Sequence, residues 1–373
     1  MRKIKFGDLK LNELSKFYVN DAVNKNWVSE GNNVKLFEEK FTKLFNYNHG
    51  VMTSSGTSAL MCALMSLYDK GASIGDEVIV PSSSFIATSN AVRAVGFVPV
   101  FVDIEKKSLN IDPKLISKKI TDKTIGIVPV HNMGVPCDMD RIMGIATSND
   151  LIVIEDCCES HGAMFKDRYV GSIGHMGVFS FYTAHIISCG EGGIVVTHDS
   201  HIKDLVRSVK SHGRTPGCNY FSFERFGLNC KSNDLCAGVG LGEIEHFWEI
   251  FNKRKDNLKY LLGKTKHLKH DMSFILKDKP LEYIVSPHAF PVVMKKEKKD
   301  KIMLFLENFG IECKTLFGCI PTQHEAFGYL GYEKDVFPIA EMVGDYGFHF
   351  GIHQFLDYEA LDYVAEVLTN YVE

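Results

Sequence analysis

The sequence predicts an α/β fold, a large and mostly parallel mixed sheet followed by a smaller carboxyl-terminal α+β domain. Three observations predict it. Short apolar runs of strand length, at 78–80, 98–102, 125–130, 151–154 and 194–197, alternate with segments whose apolar residues fall at helical spacing. Runs that are apolar throughout suit strands buried on both faces. One of them, Leu151–Ile154, ends in the acid pair Glu155-Asp156, at the carboxyl end where open α/β sheets place their ligands. Finally, 373 residues suffice for two domains, which we divide as 1–245 and 246–373.

Taken in order, residues 8–30 read as a helix and a loop ending in Asn26–Gly31. In 34–45, Val34, Phe37, Phe41, Leu44 and Phe45 share one helical face, which is a core-packing face. Ser54-Ser55-Gly56-Thr57-Ser58 then opens a helix that runs through Leu67. Small residues at a helix start let backbone N–H groups approach an anion. An N-cap without any ligand accounts for the same residues equally well. Residues 75–81 give a turn and a strand, and Ser82-Ser83-Ser84-Phe85 follows directly, with an aromatic ring at the strand end. A helix is expected near 137–147, another at 201–212, and one long helix from Glu243 to Leu262 leads into the carboxyl-terminal domain. That domain has strands at 289–294 and 311–317, with the solvated charge run 295–301 and a helix at 302–309 between them.

Composition narrows the function classes. A net charge of −4, with 45% hydrophobic and 24% charged residues, is that of an ordinary globular enzyme and gives no support for nucleic-acid binding. The amino terminus is charged, and no apolar run approaches the roughly 20 residues of a membrane span, so neither a signal peptide nor a membrane anchor is expected. Ten irregularly spaced cysteines point to a reducing cytoplasm. Cys157-Cys158 reads as a pair of small buried side chains. No compact metal-thiolate pattern occurs, and no metal is expected.

The most informative stretch is 151–197. After the acid pair come Gly177-Val178-Phe179-Ser180-Phe181-Tyr182, then His185, then Gly190-Glu191-Gly192-Gly193 and a last apolar run. This order of parts resembles the fold-type I pyridoxal-phosphate (PLP) transferases, the aspartate aminotransferase-like class. Within that class it resembles the DegT/DnrJ/EryC1/StrS family of nucleotide-sugar aminotransferases, over nearly the whole chain from about Trp27 to Val367. The resemblance implies PLP or pyridoxamine 5′-phosphate (PMP) as cofactor. It assigns Asp156 to the pyridinium nitrogen, Phe85 to the ring face and Glu159 to the phenolic oxygen. Gly56, Thr57, Ser58 and Ser180 would surround the phosphate. The segment Phe226–Asp234 resembles the family's Gly-Tyr-Asn-x-Arg segment, whose Asn reaches the neighbouring subunit's phosphate. Asn229 therefore implies a homodimer with its active sites at the interface.

His185 stands where the family carries the Lys that forms a Schiff base with PLP. An imidazole cannot form that link but can move protons. Three outcomes are open: an inactive homologue serving as a cofactor-binding scaffold, an enzyme using another Lys such as Lys210 or Lys231, or one that holds its cofactor non-covalently. The third is similar to a branch of the family, the coenzyme B6-dependent nucleotide-sugar 3-dehydratases, whose type member acts on GDP-4-keto-6-deoxymannose. Ala289-Phe290-Pro291-Val292, Leu316-Phe317-Gly318 and Phe350-Gly351-Ile352 also resemble that branch.

The branch implies a lyase of deoxysugar biosynthesis, of the kind that feeds lipopolysaccharide O-antigen. Its substrate is a nucleotide-linked 4-keto sugar, His185 is its base and then its acid, and L-glutamate restores PMP. A sub-branch that pairs PMP with a [2Fe–2S] cluster is similar around Cys158 and His185. Its Cys-x-Cys is not reproduced between Cys189 and the carboxyl-terminal domain, where Cys218, Cys230 and Cys236 stand alone. Contacts to the base and sugar fall to the loops 26–33, 214–226 and 318–330. His324 is either one of them or a solvated loop residue.

Overall fold

The protein, described by a computed structural model over residues 2–215, 217–218, 221–276 and 283–372, is organised around two sheets. Parts of the 214–226 loop (216, 219 and 220) lie outside the described residues. Helices α1 (Glu13–Asn24) and α2 (Asn32–Leu44) come first, and α2 buries Val34, Phe37 and Phe41 as its periodicity predicts. Strand β1 (His49–Thr53) leads to α3 (Gly56–Met65) and β2 (Glu77–Pro81), then to α4 (Ala87–Ala94) and β3 (Val98–Val102). Next come the short helix α5 (Pro113–Ile116), β4 (Thr124–Ile127), α6 (Met139–Ser148) and β5 (Ile152–Asp156). The two-residue strands β6 (Met164–Phe165) and β7 (Arg168–Tyr169) precede β8 (Met176–Ser180), β9 (Gly193–Thr197) and α7 (Ser200–Val209).

These strands form a seven-stranded sheet in the order β1-β9-β8-β5-β4-β2-β3. Pairing is parallel from β8 through β5, β4 and β2 to β3, and antiparallel at β8-β9 and β9-β1. The expected mixed, mostly parallel sheet is therefore present, and helices cover both of its faces.

The sequence pattern misplaces some elements. β1 pairs antiparallel with β9 along its whole length, but its run His49-Gly50-Val51-Met52-Thr53 is too short and mixed to read as a strand alone. α4 was not expected either. The single helix expected over 243–262 is two, α8 (Asp234–Glu245) and α9 (Phe247–Lys264), which meet at His246 with φ −102° and ψ 11°. Tertiary capping anchors α8. The Asp234 carboxylate accepts from the N–H groups of Gly31, Asn33 and Val34 at 2.8, 3.1 and 3.1 Å, and so caps α2, whose own N-cap Gly31 has no side chain to do so.

Beyond α9, strands β10 (Met272–Phe274), β12 (Ala289–Met294), β13 (Cys313–Thr315) and β14 (Gly347–Gly351) form an antiparallel sheet in the order β10-β12-β14-β13, while β11 (Tyr283–Ile284) joins β6 and β7. The strand expected over 311–317 shrinks to β13. Helices α10 (Lys299–Asn308) and α13 (Tyr358–Val372) pack on this second sheet, and α11 (Ile320–Gln323) and α12 (Pro338–Tyr346) lie towards the first. The amino-terminal residues cross onto the second sheet, where Ile4 bridges Ile311 and joins its buried apolar cluster.

Candidate active site

Residues 155 and 156 end β5 and, as strand neighbours, point to opposite faces. Glu155 is fully buried behind the sheet, where one oxygen accepts from the N–H groups of Ile173 and Gly174 at 2.7 Å each and the other faces His131 Nε2 at 3.0 Å. Cys157 converges on the same pair, but His131 Nδ1 already accepts from the Cys137 N–H at 2.9 Å. Both ring nitrogens are engaged, so this is a closed hydrogen-bond network. Asp156 points the other way, into a cavity of about 740 Å³ between the two sheets.

That cavity gathers most of the residues singled out in the sequence: Gly56, Thr57, Phe85, Asp156, Glu159, Ser180 and His185 all line it. Two others do not. Ser58 turns back on the α3 N-terminus, its N–H donating to Ser55 Oγ at 3.1 Å and its hydroxyl meeting those of Ser54 and Ser55. Asn229 is exposed, bridges Ser211 and accepts from Lys231 Nζ, away from the cavity of its own chain. Of the two lysines weighed as substitutes, neither lines the cavity: Lys210 Nζ is buried against Met52 O (2.9 Å) and Glu30 Oε1 (3.1 Å), and Lys231 turns to Asn229.

Local chemistry explains each placement. Ser55 caps α3, leaving the N–H groups of Gly56 and Thr57 at the helix start, where the dipole favours an anion. A Cβ on Gly56 would lie 2.7 Å from Ser180 Cβ and 3.0 Å from Cys158 Sγ, so only glycine leaves this cradle open beside the Ser180 hydroxyl. Asp156 Oδ2 accepts from Thr88 Oγ1, in the first turn of α4, and Oδ1 accepts from the Cys158 N–H at 3.2 Å. Phe85 is largely exposed at the cavity wall, 5.9 Å from Phe317.

His185 sits in a turn closed by its own N–H to Tyr182 O (2.9 Å) and by the Cys189 N–H to Phe181 O (2.8 Å). Its Nδ1 is enclosed without a hydrogen-bond partner. The rings of His288 and His161 lie 5.3 and 5.9 Å away. Burial first, and the Arg254 cation second, hold the His185 imidazole down to about 3, so it is neutral at physiological pH. Burial likewise holds His161 and His288 well below the usual range and His349 down to about 3. Glu159 is pushed up to about 8, by burial and then by Asp156, against the Met133 N–H bond of 2.7 Å that favours its anion. Its other oxygen lies 3.4 Å from His288 Nε2.

Sequence reasoning missed Thr88, His288 and His349. A signal for His349 was available, because Phe348-His349-Phe350 places one polar side chain opposite two apolar ones on a strand. Phe6, whose ring lies 5.0 Å from that of His349, reaches the cavity from the amino terminus and carried no local signal. His324 lines the cavity, whereas its neighbour Gln323 is occupied by Cys319, Glu341 and Asp345.

A family model described as the DegT/DnrJ/EryC1/StrS aminotransferase family matches residues 10–369. The chain is 38% identical over 242 residues to GDP-perosamine synthase of Escherichia coli O157:H7, a match that spans 65% of each chain. It is 30% identical over 360 residues to the GDP-perosamine synthase of Caulobacter vibrioides, covering 95% of this chain and 94% of that one. Among solved structures, Escherichia coli GDP-4-keto-6-deoxy-D-mannose-3-dehydratase with bound hydrated PLP superimposes with a TM-score of 0.89 at 26% identity, over 99% of this chain and 100% of that one.

Proposed function

We propose that this chain, which belongs to the DegT/DnrJ/EryC1/StrS aminotransferase family, is a PMP-dependent nucleotide-sugar 3-dehydratase. It removes the C3 hydroxyl of an NDP-4-keto-6-deoxyhexose, and L-glutamate restores the amine form of the cofactor. Over one cycle the sugar and glutamate become the 3-deoxy-4-keto sugar, 2-oxoglutarate and ammonia. The family is one of PLP enzymes that act on nucleotide sugars.

One observation carries the reading: the side chain aimed into the cavity from the 182–185 turn is an imidazole. Among the described residues that line the cavity the lysine is Lys314, on β13, where its Nζ lies 3.4 Å from Glu312 Oε1 and is largely solvated. The donor set fits the cofactor. The open start of α3 with Ser180 suits a phosphate, and the doubly hydrogen-bonded Asp156 carboxylate suits a protonated ring nitrogen. Phe85 would cover a ring face, and Glu159 would meet the phenolic oxygen. Bound there, PMP supplies an amine for the sugar's C4 ketone and a ring that accepts electrons.

The chain's residues then divide the remaining work. Asp156, fixed by Thr88 and the Cys158 N–H, keeps the ring nitrogen charged. His185, neutral at pH 7, takes a proton on the cavity side and returns one to the departing hydroxyl. The buried histidines around it restrict water near the reacting carbons. Asn229, exposed and remote from its own cavity, would complete the site of a second copy, making the enzyme a homodimer. We also infer a cytoplasmic enzyme with domains at 1–245 and 246–373; no helix among the described residues is long and apolar enough to cross a membrane.

The aminotransferase reading remains the rival, since relatives named as sugar synthases match as well as dehydratases. Incubation with a panel of NDP-4-keto sugars and glutamate, followed by mass spectrometry, separates the two. Loss of oxygen with ammonia release is expected; gain of nitrogen on the sugar would overturn the proposal. Borohydride reduction and peptide mapping give a second check, because a phosphopyridoxyl-lysine in the resting enzyme would overturn it too.

A further inference from the structure

We infer that Arg254 is the positioning residue of this site: its buried guanidinium grips the turn that carries His185 and ties that turn to the segment following β14. The inference rests on the reading of His185 as the proton-transferring group. Arg254 lies on α9, outside the cavity, and is only 1% exposed. Its donors go to three acceptors. Nη2 donates to His185 O at 3.2 Å, Nη1 to Ala184 O at 3.4 Å, and Nε to Gln354 Oε1 at 2.9 Å. Three residues along, on the same face of α9, Asn257 Nδ2 donates to Ile352 O (3.3 Å) and His353 O (3.0 Å). One face of one helix therefore fixes the 184–185 backbone and the 352–354 backbone together.

Burying a cation is costly, and a methionine would fill the space more cheaply if packing were all that mattered. A planar guanidinium can meet several acceptors from different chain segments at once, which an ammonium cannot do with the same geometry. What the fork fixes is the backbone on either side of the His185 Cα, and so the direction in which the imidazole enters the cavity. Proton transfer depends steeply on such placement.

Arg254 also acts through charge. The groups that face His185 are Tyr182 in its own turn, His161 from the loop after β5, His288 immediately before β12 and Arg254 on α9. Glu159 stands behind His288, and Glu243 on α8 is the acid whose field reaches Arg254. Arg254 is the cation in this shell, and it opposes protonation of the imidazole.

The test uses the full-length protein carrying Arg254→Lys or Arg254→Met, with isotope-labelled histidine and His185→Asn to assign the His185 signal. Arg254→Lys keeps the charge and loses the fork. It should lower kcat about 10- to 100-fold while KM for the sugar nucleotide stays within about two-fold, and His185 should titrate as in the wild type. Arg254→Met loses both, so kcat should fall at least as far. The His185 titration and the acid limb of the kcat profile should then move up by about one pH unit or more. Wild-type kcat in Arg254→Lys, or an unmoved His185 titration in Arg254→Met, would overturn the inference. Should Arg254→Met fail to fold, Gln354→Leu, which removes one acceptor of the fork, takes its place with the same kcat-against-KM readout. The titration needs no turnover, so a wild type that dehydrates no sugar defeats the dehydratase reading and leaves the grip on His185 separately measurable.

Discussion

Thr88 Oγ1 donates to Asp156 Oδ2 across 2.8 Å, joining the first turn of α4 to the end of β5. With the Cys158 N–H on the other oxygen, the carboxylate is fixed from both sides before any ligand arrives. Thr88→Val keeps the shape and removes the hydroxyl, leaving a buried acceptor unpaired. A loss of about 1–3 kcal/mol of stability is expected, by the usual cost of an unsatisfied buried group. Weaker alignment should raise the dissociation constant for PLP roughly tenfold, the equivalent of about 1.4 kcal/mol. Urea unfolding and a fluorescence titration with PLP measure the two effects, and unchanged affinity would show that Asp156 does not depend on Thr88.

Replacing His185 separates binding from proton transfer. His185→Asn should hold PMP with near wild-type affinity and lose dehydration by about 10²–10⁴-fold, the usual worth of a positioned general acid–base group. His185→Lys should attach PLP covalently and turn the enzyme towards amination of the sugar. Absorbance spectra before and after borohydride, read beside turnover, check both. Intact dehydration in His185→Asn would remove the assigned role.

Stability should fall on both sides of neutrality, for different reasons. The imidazoles of His161, His185, His288 and His349 bind protons more weakly in the folded protein than at their ordinary value of 6.5. Their contribution is complete above 6.5 and is lost as pH falls towards about 3, the folded value of His185 and His349. Glu159 behaves oppositely. Raised from 4.5 to about 8, it contributes fully below 4.5 and loses that contribution as pH rises through 8. Each group can add a slope of at most about 1.4 kcal/mol per pH unit. Unfolding of Glu159→Gln, followed by urea at about pH 6 and about pH 8, should show a smaller alkaline loss than the wild type. An identical slope in the two proteins would contradict the burial of Glu159.

The amino-terminal strap supports the same turn from outside. A Cβ on Gly7 would lie 2.9 Å from Ala184 Cα and 3.1 Å from Ala184 Cβ, immediately before His185. Gly7→Ala should therefore cost about 1–3 kcal/mol, the range for overpacking, and lower kcat by shifting the turn. Thermal melting and steady-state kinetics test this. If neither changes, the strap and the turn are not in contact in solution.

By itself the sequence determined the class of the fold and singled out several of the residues that line the cavity. Strand runs apolar on both faces can only be buried in a covered, mostly parallel sheet, and Asp156, Ser180 and His185 stand at fixed offsets from such runs. Asp156 faces the cavity, as the family resemblance expected, and Glu155 faces the interior, because strand neighbours alternate. Only the tertiary structure decided how distant segments meet. β1 becomes a strand by pairing with β9, α8 stops at His246 and ties back to α2 through Asp234, and Ser58 and Asn229 turn away from the cavity that seven other singled-out residues line. Thr88 acquires its partner 68 residues away, and Arg254 reaches the His185 backbone across a separation of 69. Local pattern records periodicity and propensity, whereas a hydrogen bond between remote segments is fixed by packing, and packing is a property of the whole chain.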